Sequence, residues 1–210
     1  MTAATLGFVH RFAPATVPGR PALLLLHGTG GDEGDLLPLG RAIAPGAALL
    51  SPRGPVLERG MPRFFRRLAE GVFDEADVER RARDLADFVV AARDAYGIGR
   101  PIAVGFSNGA NIAAATLLLR PGVLAGAVLL RAMVPLRAWP EADLAGLPVL
   151  VLSGATDPIV PQENAGRLAS GLAQRGARVE HRVLPGGHGL TATDATLAAD
   201  WLGRREADAA

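Results

Sequence analysis

The chain has 210 residues, 49% hydrophobic and 20% charged, which suits one globular domain with a sizeable core and excludes a disordered chain. Twenty-two basic residues, all arginine, stand against 21 acidic ones, and a formal net charge of +1 gives no reason to expect nucleic acid or an anionic membrane as partner. The absence of cysteine excludes disulfides, thiolate catalysis and Cys-based zinc or iron–sulfur sites.

From the start, Met1 to Phe8 lacks a basic stretch followed by an apolar run, so no secretory signal is expected and cytoplasm is the expected compartment. Phe8–Phe12 reads as an antiparallel first strand. Ala22–Leu26, Ala47–Leu50, Ile102–Phe106, Leu124–Leu130 and Val149–Leu152 are strand-length runs, apolar almost throughout, as strands of a parallel sheet covered on both faces should be. They are too short to span a bilayer, and no membrane insertion is expected. Val179–Leu184 is more polar and reads as an edge strand. Helices are predicted over Leu36–Ile43, Asp77–Tyr96, Asn108–Leu119, Gln162–Arg175 and Thr193–Trp201; in the second, Val78, Leu85, Phe88, Val89 and Ala92 share one face. Strand and helix in alternation predict an α/β fold, a mostly parallel sheet covered by helices on both faces in a single domain. The 51–75 segment breaks this rhythm. Its prolines and the run Met61-Pro62-Arg63-Phe64-Phe65-Arg66-Arg67 predict an irregular, lid-like insertion. The polar stretch 203–210 is expected to fray.

Gly105-Phe106-Ser107-Asn108-Gly109 follows a predicted strand and opens a predicted helix, the context of a nucleophile elbow. The serine must stand on a sharp turn, and the glycines let strand and helix approach without Cβ clashes. A serine hydroxyl needs a base. His188, in the glycine-flanked loop Pro185-Gly186-Gly187-His188-Gly189, is placed to reach over the sheet, whereas His10 and His181 read as surface or satisfied polar residues. An imidazole needs a carboxylate behind it, and Asp157 in Ser153-Gly154-Ala155-Thr156-Asp157-Pro158 lies just past a strand, giving the chain order Ser, Asp, His. The rival carboxylate, Asp194, reads as a helix cap. The loop Leu26-His27-Gly28-Thr29-Gly30-Gly31-Asp32 follows an apolar strand and suits an oxyanion loop, with the Thr29 and Asn108 amides as the two donors and His27 as a brace. No Gly-Lys-Ser/Thr follows it, which counts against a phosphate cradle, and no histidine pair has metal-ligand spacing. Phe64 and Phe65 are candidate walls of a substrate pocket, with Arg63 or Arg53 at its mouth. The alternative is that the phenylalanines anchor the loop to the core.

These motifs resemble the phospholipase/carboxylesterase family of small bacterial α/β-hydrolases, from Leu23 to about Leu202. The resemblance rests on Leu-His-Gly-Thr-Gly-Gly-Asp-Glu at 26–33, Gly-Phe-Ser-Asn-Gly at 105–109, Gly-Ala-Thr-Asp-Pro at 154–158 and Gly-Gly-His at 186–188. The stretch from Pro52-Arg53-Gly54 through Gly60 to Arg67 resembles a narrower group, bacterial carboxylesterases associated with hydroquinone and aromatic-electrophile stress. The resemblance implies the α/β-hydrolase fold and a cofactor-free cytoplasmic esterase for small to medium acyl esters, often a homodimer, for which Trp139 or Phe73 would mark an interface if exposed. Related lysophospholipases and acyl-protein thioesterases carry a shorter glycine loop and a different lid, and dienelactone hydrolases use cysteine. A lysophospholipase or acyl-thioesterase is the alternative activity, and a catalytically silent binding protein on the same fold is the alternative class.

Overall fold

The structure is a computed structural model and describes residues 6–209. The start of the chain, read above for a secretory signal, lies outside the described residues over 1–5, as does Ala210 of the polar tail.

Seven strands form the central sheet: β1 (His10–Ala13), β2 (Leu23–Leu26), β3 (Leu49–Pro52), β8 (Ile102–Phe106), β9 (Gly126–Leu130), β10 (Pro148–Gly154) and β11 (Arg178–Leu184). Their order across the sheet is β1-β3-β2-β8-β9-β10-β11. Only β1 runs antiparallel, pairing His10 with Pro52 of β3, and every other pairing is parallel.

The apolar runs become strands because both faces are covered. Alternate side chains of a strand point to opposite faces. Leu23 and Leu25 of β2 therefore join one core with Val104, Val128, Leu150 and Leu152, closed by Ile43 of α1 (Leu37–Ile43) and Trp201 of α5 (Ala192–Ala209). Leu24 and Leu26 join the other, with Ala103, Leu129 and Val151. That face is covered by α2 (Glu75–Tyr96), α3 (Asn108–Leu119) and α4 (Gln162–Ala173), and Val78, Leu85, Phe88, Val89 and Ala92 of α2 all point into it. Each leucine so buried contributes about 1.5–3 kcal/mol.

Two expectations are corrected. The segment after β3 is ordered, not irregular: it folds into two short hairpins, β4 (Val56–Glu58) with β5 (Met61–Arg63) and β6 (Arg67–Ala69) with β7 (Val72–Phe73). Arg59 and Gly60 turn the first with φ of 52° and 83°, the double positive φ of a two-residue hairpin loop. Between the hairpins, the Asp77 carboxylate of α2 accepts the Arg66 amide at 2.8 Å and pairs with Arg80, tying the segment to the helix. The C-terminal stretch expected to fray continues α5 to Ala209, supported by Arg204, which pairs with Glu180 of β11 at 3.0 Å, and by Arg205 over the Trp201 ring.

Candidate active site

The site lies at the carboxyl ends of the parallel strands. Ser107 occupies the turn from β8 to α3 with φ 51° and ψ −113°, a conformation costing roughly 1–3 kcal/mol for a residue with a side chain. The surroundings over-determine it. The Ser107 amide donates to Leu130 O at 2.8 Å, and Asn111 N donates back to Ser107 O at 2.9 Å. Gly109 is obligatory because a Cβ there would lie 1.9 Å from Leu26 O. At Gly105 it would lie 2.5 Å from Gly109 O, so both motif glycines serve close approach.

His188 comes from the loop between β11 and α5, and Asp157 from the loop after β10. The Ser107 hydroxyl lies 2.9 Å from His188 Nε2, and His188 Nδ1 lies 2.8 Å from Asp157 Oδ2. The carboxylate fixes the tautomer: Nδ1 donates to Asp157, leaving Nε2 to accept from the hydroxyl. Burial pushes the Asp157 carboxyl up, but amide hydrogen bonds from Val160 and Ile159 to its other oxygen, with that from His188, outweigh burial and hold it below the usual carboxylate range. It is therefore ionised at neutral pH. The structure thus brings together the serine, histidine and aspartate singled out from the sequence.

Thr29 stands in the loop after β2. That loop is held from both sides. His27 Nδ1 donates to Gly28 O at 2.7 Å while its Nε2 accepts the Gly54 amide at 2.9 Å, and Gly30 N donates to Pro62 O. Burial lowers the His27 pKa, consistent with a neutral ring that donates at one nitrogen and accepts at the other. Among the described residues, neither the Thr29 amide nor the Asn108 amide has a hydrogen-bond partner, so both are available as donors.

A cavity of about 270 Å³ opens over Ser107 and His188 and is lined also by Thr29, Asn108 and Arg63. Phe64 and Phe65 do not line it. They are 1% and 0% exposed and belong to the core beneath α2 and α3, so the pocket-wall expectation is corrected: the two consecutive aromatic rings are buried completely by anchoring the hairpins, which an open cavity would not do. The apolar wall is built instead by Phe73, Phe106, Met133, Ile159 and Val160. Arg53 pairs with Glu33 at 2.5 Å and does not line the cavity. Arg63 does, and its Nη1 donates to Thr29 Oγ1 at 2.6 Å. His10 and His181 lie elsewhere, bonded to Tyr96 and Ser153. Trp139 is half-buried under the Arg175 guanidinium.

Sequence reasoning missed Arg131. This arginine sits just past β9 with φ 56° and is 1% exposed. It forms a two-pronged ion pair with Asp194 at 2.7 and 2.9 Å and donates to Gly187 O and Gly189 O at 3.0 and 3.1 Å, the carbonyls on either side of His188. Asp194 does cap α5, accepting from the Thr191 amide and hydroxyl at 2.8 Å, and holds the arginine with the same carboxylate. An arginine among 22 carries no sequence mark of burial, and only its position next to a strand end hinted at it.

Residues 11–202 match the model of the phospholipase/carboxylesterase family. The chain belongs to this family of hydrolases. MhqD of Bacillus subtilis (strain 168) is 51% identical over 181 residues, covering 85% of this chain and 90% of that one. The Bacillus cereus carboxylesterase superposes with a TM-score of 0.91 at 44% identity over 94% of each chain. A Mesorhizobium loti carboxylesterase does so with 0.90 at 35% identity, over 95% of this chain and 96% of its own. The sheet and helices described above are accordingly the α/β-hydrolase fold of a family hydrolase, and no helix among the described residues is long and apolar enough to cross a membrane.

Proposed function

We propose that the protein is a serine carboxylesterase that cleaves small to medium esters through an acyl-enzyme, without a cofactor and in the cytoplasm. The observation that carries this is the unbroken chain from the Ser107 hydroxyl through His188 to the ionised Asp157 at the wall of a cavity. Ser107 Oγ attacks the ester carbonyl while its proton passes to His188 Nε2. Asp157 stabilises the imidazolium, and the Thr29 and Asn108 amides receive the oxyanion. Collapse of the tetrahedral intermediate breaks the bond to the alcohol, which takes the proton from His188. Water then enters, gives its proton to His188 and attacks the acyl-enzyme. The released acid carries the new oxygen, and the proton returns to Ser107.

The small cavity favours short acyl groups over the lipid tails of the lysophospholipase reading. A p-nitrophenyl ester series from acetate to palmitate tests this: turnover should peak at short acyl chains and fall by at least about tenfold at palmitate. A maximum at palmitate would replace the carboxylesterase reading with the lysophospholipase one.

A further inference from the structure

The polar part of the cavity wall presents mainly hydrogen-bond donors. Asn108 and Asn111 are 2% and 4% exposed, and both line the cavity. In each, a backbone amide takes the carboxamide oxygen: Phe64 N donates to Asn108 Oδ1 at 2.7 Å and Met133 N to Asn111 Oδ1 at 2.9 Å. Those bonds fix which end is nitrogen. Among the described residues Asn108 Nδ2 is buried without a partner, and Asn111 Nδ2 also has none.

Arg63 adds a buried positive charge. Its guanidinium is 3% exposed, donating through Nε to Phe65 O and through Nη1 to the neutral Thr29 hydroxyl, while Nη2 has no partner among the described residues. Among the described residues its one ion-pair partner, Glu58 at 3.3 Å, is shared with Arg67, which holds it at 2.9 Å. Burial, and then the like charge of Arg67, lowers the Arg63 pKa more than Glu58 and Glu70 restore it, so the guanidinium is under-compensated. Glu70 also faces the cavity, but Arg67 engages it at 2.5 Å. Buried donors left unpaired are costly, and they favour a ligand rich in acceptors over one without them.

Resting on the proposed esterase reading, we infer that the substrate is a small ester carrying a carboxylate of its own, which Arg63 Nη2 and the Asn108 and Asn111 side-chain amides receive. Hydrolysis of such an ester by water releases one proton and yields a dicarboxylate and an alcohol where the carboxylate lies on the acyl side, or a carboxylate and a hydroxycarboxylate where it lies on the alcohol side.

The test compares each of two anionic esters with its neutral counterpart: monoethyl glutarate with ethyl pentanoate, and 3-acetoxypropanoate with propyl acetate. At low salt, kcat/KM for at least one anionic ester should exceed that of its counterpart by about tenfold or more, as a charge-assisted hydrogen bond provides. The ratio should fall towards one in Arg63→Met, whatever that variant does to the absolute rates. A ratio at or below one for both pairs in the wild type, or one unchanged in folded Arg63→Met, overturns the inference. Wild type alone supplies a second arm should the variant not fold: glutarate should inhibit competitively, more weakly as salt rises, and glutaramide should not; equal inhibition by both also overturns it. If no ester is cleaved while Ser107 still reacts with a fluorophosphonate, the substrate class alone is wrong. If Ser107 does not react, the esterase reading falls, and the inference with it.

Discussion

Ser107→Ala should lower kcat for ester hydrolysis by on the order of 10⁴–10⁶-fold, leaving what the oxyanion donors and binding alone provide. The proposed mechanism gives no other residue the role of nucleophile. Alanine has no hydroxyl to attack the carbonyl, yet meets the same positive φ as serine, so the strain of the turn is unchanged and the protein should remain folded. Steady-state kinetics on a short p-nitrophenyl ester, with circular dichroism as the folding control, reads the result. A folded variant with turnover within tenfold of wild type would remove Ser107 from the mechanism.

The second large effect belongs to Arg131. Its charge and that of Asp194 are both buried, at 1% and 2% side-chain exposure. Removing one partner leaves the other charged, desolvated and unpaired, which costs about 3–5 kcal/mol. Arg131→Met should therefore lower Tm by about 10 °C for a domain of this size, and so should Asp194→Leu. The double variant should recover part of the loss, because no orphan charge remains. Yet it should stay a poor catalyst, since the carbonyls of Gly187 and Gly189 lose their common donor and the loop carrying His188 is no longer clamped. Thermal melts of the two single variants and the double supply the cycle. A change under 1 kcal/mol in both singles would contradict the buried-pair account.

These residues also mark where sequence reading succeeds and where it stops. The sheet was legible because parallel strands buried on both faces leave unbroken apolar runs: Leu23–Leu26 needs no partner to announce itself. Ser107, Asp157 and His188 were legible because each stands on a turn just past a strand, and glycines flank two of them. The hairpins of 56–73 were not legible. Strands of two or three residues are shorter than any periodicity window, and Pro62 argued against a strand, although Arg59-Gly60 held a turn signal. Phe64 and Phe65 were ambiguous for a related reason: whether a ring faces a cavity or a core depends on which helix packs above it, and α2 and α3 close over these two. Arg131 was invisible because its meaning comes from a carboxylate 63 residues away.

The central claim is that Ser107 is an activated nucleophile, and its most direct test is covalent. The intact protein, treated with a fluorophosphonate at neutral pH, should gain one phosphonyl adduct, and peptide mass spectrometry should place it on Ser107. His188→Ala should slow the labelling by at least about a hundredfold, the contribution of a general base. An adduct on another residue, or labelling at an unchanged rate without His188, would contradict the account.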